Sequence, residues 1–158
     1  MADAYVRNGD EADTNHGADT LLIVKDGSDE YDRNAYIRFD LPSVSGPVVR
    51  AILTLTVERL PNGEPAPVKL YVSDNNWQED TITWNNRPPI NSAVPFLSAE
   101  ISQLGDIEFD ITDYINATLD RGERSITLVI ADGTTARRMV RFWSREGTTP
   151  PGLDISFR

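Results

Sequence analysis

Apolar and polar residues alternate at a period of two along almost the whole chain, the signature of strands with one face turned to a core. Ala4 and Val6 alternate with Tyr5 and Arg7. Ala35, Ile37 and Phe39 alternate with Asn34, Tyr36 and Arg38, and Leu53, Leu55 and Val57 with Thr54 and Thr56. Val68, Leu70 and Val72 alternate with Lys69, Tyr71 and Ser73. Ile126, Leu128 and Ile130 alternate with Thr127 and Val129, and Val140 and Phe142 with Arg141 and Trp143. Leu153, Ile155 and Phe157 close the chain. Leu21-Leu22-Ile23-Val24-Lys25 is apolar at both parities, so its orientation is open. Turn signals divide these segments: Asp26-Gly27, Pro61-Asn62-Gly63, Asp132-Gly133 and Gly147.

Two stretches break the alternation. Thr112 is placed to cap a short helix that carries Ile115 and Leu119 on one side and ends at Gly122. The other runs from Trp77 to Pro89 and holds two of the three tryptophans. Its Thr81-Ile82-Thr83-Trp84 is β-branched and aromatic and is expected to be extended. Asn85-Asn86 then turns the chain, and Pro88-Pro89 stops any ladder. The indoles are expected to cover the end of a sandwich core, or else to offer a stacking platform for a sugar. About ten strands and one short helix near residues 112–120 predict an all-β fold, a two-sheet β-sandwich of the jelly-roll kind. No repeat or linker divides residues 1–158, so one domain is expected.

Composition narrows the function more than the fold. The 158 residues suffice for one substantial core. A net charge of −10 argues against nucleic-acid binding. No apolar run approaches the ~18 residues of a membrane span, and no signal-peptide pattern opens the chain. With no cysteine, disulfides are excluded and the compartment is left open.

Catalytic chemistry finds little support. The one histidine, His16, lies beside Gly17 in an acidic loop, a poor setting for a nucleophile–His–acid set. A zinc site of several His or Cys has no ligands. The 25 acidic residues offer many carboxylate pairs, but sequence gives no separations. A lyase would need a proton-abstracting group and a cation beside the sugar carboxylate, roles Tyr36 and Arg38 could fill. The acidic loops raise a structural calcium ion, with no other cofactor required. The loop 26–32 has oxygens at alternate positions but lacks the sixth-position glycine of an EF-hand. Residues 10–15 are the second candidate, with Asp13 and Asn15 as ligands; the alternative for both loops is a solvated turn.

The cations are more telling. Residues 133–158 carry five arginines and two acids, in a chain that is otherwise acidic. Parity places Arg137, Arg141, Trp143 and Arg145 on one face, with Arg145-Glu146 the pair expected to be structural. In the early strands, Arg7, Tyr36 and Arg38 fall opposite the clearest core positions, joined by Lys25 if Leu22 and Val24 face inward. Lys69 and Tyr71 share that parity. Guanidinium groups fork carboxylates and aromatic faces support pyranose rings, so such a surface suits an acidic sugar chain. The alternative is a solvated face with arginines paired to cross-strand acids.

The segment Trp77-x-Glu79-Asp80-x-Ile82-Thr83-Trp84-Asn85-Asn86-x-Pro88 resembles the hallmark of a family of secreted β-sandwich modules that includes the family 96 carbohydrate-binding modules. Residues 2–7, 13–17, 33–41, 142–146 and 150–153 agree with it in order, so the likeness spans nearly the whole chain. The resemblance implies a non-catalytic, monomeric, extracellular module linked to a polysaccharide-degrading enzyme, with alginate as the acidic polysaccharide bound. Candidate contacts are Arg7, Lys25, Tyr36, Arg38, Lys69, Tyr71, Arg141 and Trp143. The rivals are a structural or adhesive spacer of a surface protein and a small polysaccharide lyase.

Overall fold

The structure, a computed structural model, describes residues 1–27, 31–43, 46–132 and 138–158. It is all-β. Among the described residues, ten strands form one curled antiparallel sheet, consistent with a sandwich. They are β1 (Ala2–Arg7), β2 (Leu21–Lys25), β3 (Arg33–Asp40), β4 (Val48–Arg59), β5 (Ala66–Ser73), β6 (Leu97–Ile101), β7 (Gly105–Asp110), β8 (Ser125–Asp132), β9 (Met139–Trp143) and β10 (Gly152–Phe157). One half runs β1-β3-β8-β5-β6. The other is built on the long β4, with β7 along one edge and β10 then β9 along the other, and β2 outside β9. Among the described residues the halves join at one bridge, Lys25 to Arg33.

The alternation read from sequence points its apolar residues into one large core. Ile37, Leu70, Leu128 and Ile130 from the first half and Leu53, Leu55, Val57 and Phe142 from the second share this cluster. Leu22 and Val24 belong to it, which settles the orientation of β2. The helix α1 (Thr112–Asp120) also forms as expected, with Ile115 fully buried. Its start differs from expectation. Thr112 is the first helical residue rather than a cap: its hydroxyl donates to Asp110 Oδ1 and accepts the Ala51 N–H at 2.9 Å. Asn116 then clamps the helix to β4, exchanging two hydrogen bonds with the Val48 backbone. Gly122, at φ +79°, ends it in the left-handed conformation that a side chain disfavours.

Three strand assignments are corrected. β6 alternates Leu97, Ala99 and Ile101 with Ser98 and Glu100, and β7 alternates Ile107 and Phe109 with Asp106, Glu108 and Asp110; neither strand was expected. Thr81–Trp84 is not a strand. The Thr81 and Ile82 N–H groups both turn back to Gln78 O, while the Asn86 side chain accepts from Thr83 N at 2.7 Å and donates to Thr81 O at 2.8 Å. These local bonds outcompete a ladder despite favourable strand residues.

The 77–90 segment instead covers the outer face of the first half. There Ala2, Ala4, Val6, Tyr36 and Val129 form a second apolar layer with Trp77 and Ile82. The indoles therefore do not cover an end of the main core. Trp77 lies over the back of a sheet whose other face is already buried. Ile82→Ala should cost about 2–5 kcal/mol, the range for truncating a buried aliphatic side chain. Equilibrium urea denaturation checks this; a loss below about 1 kcal/mol would leave the cover outside the cooperative core.

Candidate functional site

Strand register separates the residues that parity had grouped. Tyr5 pairs with Ala35 and Arg7 with Arg33, so Arg7 takes the face of Tyr5, a main-core residue. Tyr36 and Arg38 take the opposite face, with Ala4 and Ala2. One surface shared by Arg7, Tyr36 and Arg38 is thus ruled out. The cause is that both faces of β1 are buried, so Ala4 and Val6 mark the outer layer and not the main core.

Tyr36 is 1% exposed, and its hydroxyl donates to Pro88 O at 2.9 Å. Burial raises its pKa to about 12, partly offset by Arg87. It is neither a surface platform nor a ready base. The Arg38 guanidinium donates to the carbonyls of Asn75 and Trp77 and lies 5.2 Å from the Trp77 ring. The Tyr36–Arg38 pair proposed for lyase chemistry is therefore engaged in holding the outer cover. Tyr71 packs half-buried against the same layer, with Lys69 two residues before it on β5. Trp143 sits opposite Leu21 and packs on the turn at Gly147. Arg145 pairs with Glu79 and Glu146 at 3.1 Å each and donates to Met1 O at 2.8 Å, so it is structural, as expected of Arg145-Glu146. Arg137 and residues 28–30 of the 26–32 loop lie outside the described residues.

Another group does come together where the two halves of the sheet join. Arg33 lies in register with Arg7 on one side and with Lys25 on the other. Arg141 pairs in register with Ile23 of β2 and Arg59 of β4. Burial lowers the Arg33 pKa, and both Arg7 and Arg141 lower it further, so these cations feel one another. Tyr31, 45% exposed, has Arg7 at 5.7 Å and Lys25 at 5.9 Å from its ring centroid. Arg7 also pairs with Asp10, at 3.1 Å, and Glu11. Among the described residues, the buried Nε of Arg7 and of Arg141 have no hydrogen-bond partner. Arg33 and Tyr31 were not among the residues expected. Arg33 begins its strand at the parity of Ala35, where alternation assigns a core position.

The expected calcium ligands have other uses. Asn15 donates to the carbonyls of Glu79 and Ile82, at 2.8 Å each, and its Oδ1 accepts from Gly17 N. Asp13 accepts from the Asn85 side chain at 2.7 Å. Both fasten the 79–86 loop. Gly17 belongs to the same seam: a Cβ there would fall 2.0 Å from Glu79 O. A different acidic group, Asp3, Glu79 and Glu146, places carboxylate oxygens within 4.8 Å of one another. Burial raises the Asp3 pKa to about 7; the Arg145 N–H opposes this, and Glu146 and Glu79 add to it. The sequence carried no signal for this group: Asp3 shares the parity of Tyr5, which the alternation of β1 reads as outward. No helix is long and apolar enough to cross a membrane, among the described residues.

The model of carbohydrate-binding module family 96 matches residues 1–157, and the chain belongs to that family. A gellan lyase from a Bacillus species is 30% identical over 122 residues, which cover 73% of this chain and 5% of the lyase. The chain thus corresponds to a small part of that protein.

Arg38→Ala should lower stability by about 1.5–3 kcal/mol, the range for hydrogen bonds to a charged group, and leave polysaccharide affinity unchanged. Urea denaturation paired with a glycan titration checks both. An affinity loss at full stability would return Arg38 to the binding surface.

Proposed function

We propose that the chain is a non-catalytic module that binds an acidic polysaccharide through Arg7, Lys25, Arg33, Arg141 and Tyr31. The supporting observation is the register that sets Arg33 directly opposite both Arg7 and Lys25. Like charges facing one another across strands destabilise a sheet. Asp10 and Glu11 already pair with Arg7, and a polyanion offsets the repulsion that remains at Arg33. Carboxylates bridge the cations in forked pairs, and Tyr31 supports a sugar ring. Alginate, implied by family resemblance, is the first ligand; gellan, named in the relative, is the second. An extracellular module of this kind holds a linked enzyme near its substrate and raises the effective concentration.

Isothermal titration with oligoalginate and gellan fragments tests this. Arg33→Ala should weaken binding by about 1.5–3 kcal/mol, which is about one to two decades in Kd. Lys25→Ala and Arg141→Ala should weaken it in the same direction. Affinity should fall as salt rises, because exposed charges are screened over ~8 Å at physiological ionic strength. Unchanged affinity in all three variants would remove the site from this junction. No binding of any acidic polysaccharide by the parent chain would favour a spacer, and unsaturated uronate released by it would favour a lyase.

A further inference from the structure

We propose that Asp3, Glu79 and Glu146 form a binding site for a calcium ion that staples the first strand to the outer cover and to the link between β9 and β10. These residues stand far apart in sequence, yet one carboxylate oxygen of each lies within 4.8 Å of the others. That spacing suits ligands of one ion, since two oxygens bound at about 2.3–2.6 Å can be no more than about 5 Å apart. Arg145 does not complete the site. Asp3 Oδ2 accepts the Arg145 backbone N–H at 2.8 Å, and Glu79 Oε2 and Glu146 Oε1 face its guanidinium at 3.1 Å. Each carboxylate therefore gives one oxygen to Arg145 and keeps the other.

The second oxygens are poorly satisfied. Glu79 Oε1 accepts one N–H, from Asp3 at 2.8 Å. Glu146 Oε2 has only the Ser144 hydroxyl at 3.4 Å. Among the described residues the buried Asp3 Oδ1 has no hydrogen-bond partner, and Asp3 as a whole is 1% exposed. A buried carboxylate oxygen without a donor is costly. It is the independent sign that a ligand is missing from the set. One guanidinium against three carboxylates leaves a negative excess that a divalent ion balances. All donors are oxygens, with no imidazole or thiolate in the cluster, which selects a hard cation. Magnesium keeps several waters and takes one or two carboxylates, so three protein carboxylates favour calcium. Glu79 and Glu146 remain partly open to solvent, leaving room for water ligands.

The test is titration of the chelator-stripped chain with calcium chloride, and separately with magnesium chloride, followed by melting curves. One calcium ion should bind per chain, more tightly than magnesium. At a calcium concentration near 100 times Kd the folding equilibrium constant should rise about 100-fold, with a higher melting temperature. Asp3→Asn and Glu146→Gln should each weaken calcium binding at least tenfold, about 1.4 kcal/mol, and Asp13→Asn should leave it unchanged. If Asp3→Asn does not fold, Glu146→Gln, at the more open ligand, decides alone. No calcium heat and no shift in melting for the parent chain would overturn the site. So would full affinity in folded Glu146→Gln, or a loss confined to Asp13→Asn.

Discussion

A sheet with apolar side chains on both faces must be covered twice, and most of what is unusual in this protein follows from that requirement. In β1, β3 and β8 the inward residues Tyr5, Ile37 and Leu128 meet the main core, while Val6, Tyr36 and Val129 face the other way and are equally buried. Left in water, that outer row would expose a contiguous apolar patch. The 77–90 loop removes it, with Trp77 and Ile82 as its anchors. An irregular loop laid on an apolar surface must still satisfy its own backbone. Side chains of the sheet and of the 13–17 loop do this: Arg38 takes the carbonyls of Asn75 and Trp77, Asn15 those of Glu79 and Ile82, and Tyr36 that of Pro88. The Trp77 indole N–H in turn donates to Thr127 Oγ1, which donates to Asn75.

This also explains which parts of the molecule can be read from sequence. Alternation gives most of the strands and most of the main core, because a sheet with one wet face writes its orientation into every second residue. Alternation fails where both faces are dry. In Ala2-Asp3-Ala4-Tyr5-Val6 the small residues look like the core side and Tyr5 like the surface, and the opposite holds. The error carries over to Arg7, placed with Tyr36 and Arg38 although it faces away from them. In Thr81–Trp84, strand propensity is real but local amide–backbone bonds prevail. The cationic junction was only half legible. Lys25, Arg7 and Arg141 were visible as unexplained cations, but their meeting at Arg33 depends on the bridge between sheet halves, a contact no local pattern encodes.

The polar residues that suggested function therefore fall into two sets, distinguished by what they touch. Arg38, Arg145 and Asn15 bind carbonyls or acids of the chain itself, and Asp13 accepts from the Asn85 side chain. Their removal acts on folding first. Arg33 stands in register with Lys25 and within electrostatic reach of Arg141, an arrangement that weakens the sheet locally. Tyr31 adds an exposed ring where an ordinary surface would have a polar side chain.

The two sets are joined by chain connectivity rather than by direct contact. The outer cover and the N-terminal loop hold β1 against β3, and β1 carries Arg7 into register with Arg33. The same β1 presents Asp3 at its other end, where Glu79 from the cover and Glu146 from the β9–β10 link converge. A strand fixed at Asp3 by hydrogen bonds to Glu79 and from the Arg145 N–H, and at its middle by the Trp77 layer, has little freedom to shift register. A one-residue slip would turn Tyr5 out of the core and carry Arg7 off its partner. Precise presentation of like charges, which repel and would otherwise splay the strands, thus depends on constraints placed along the strand and behind it.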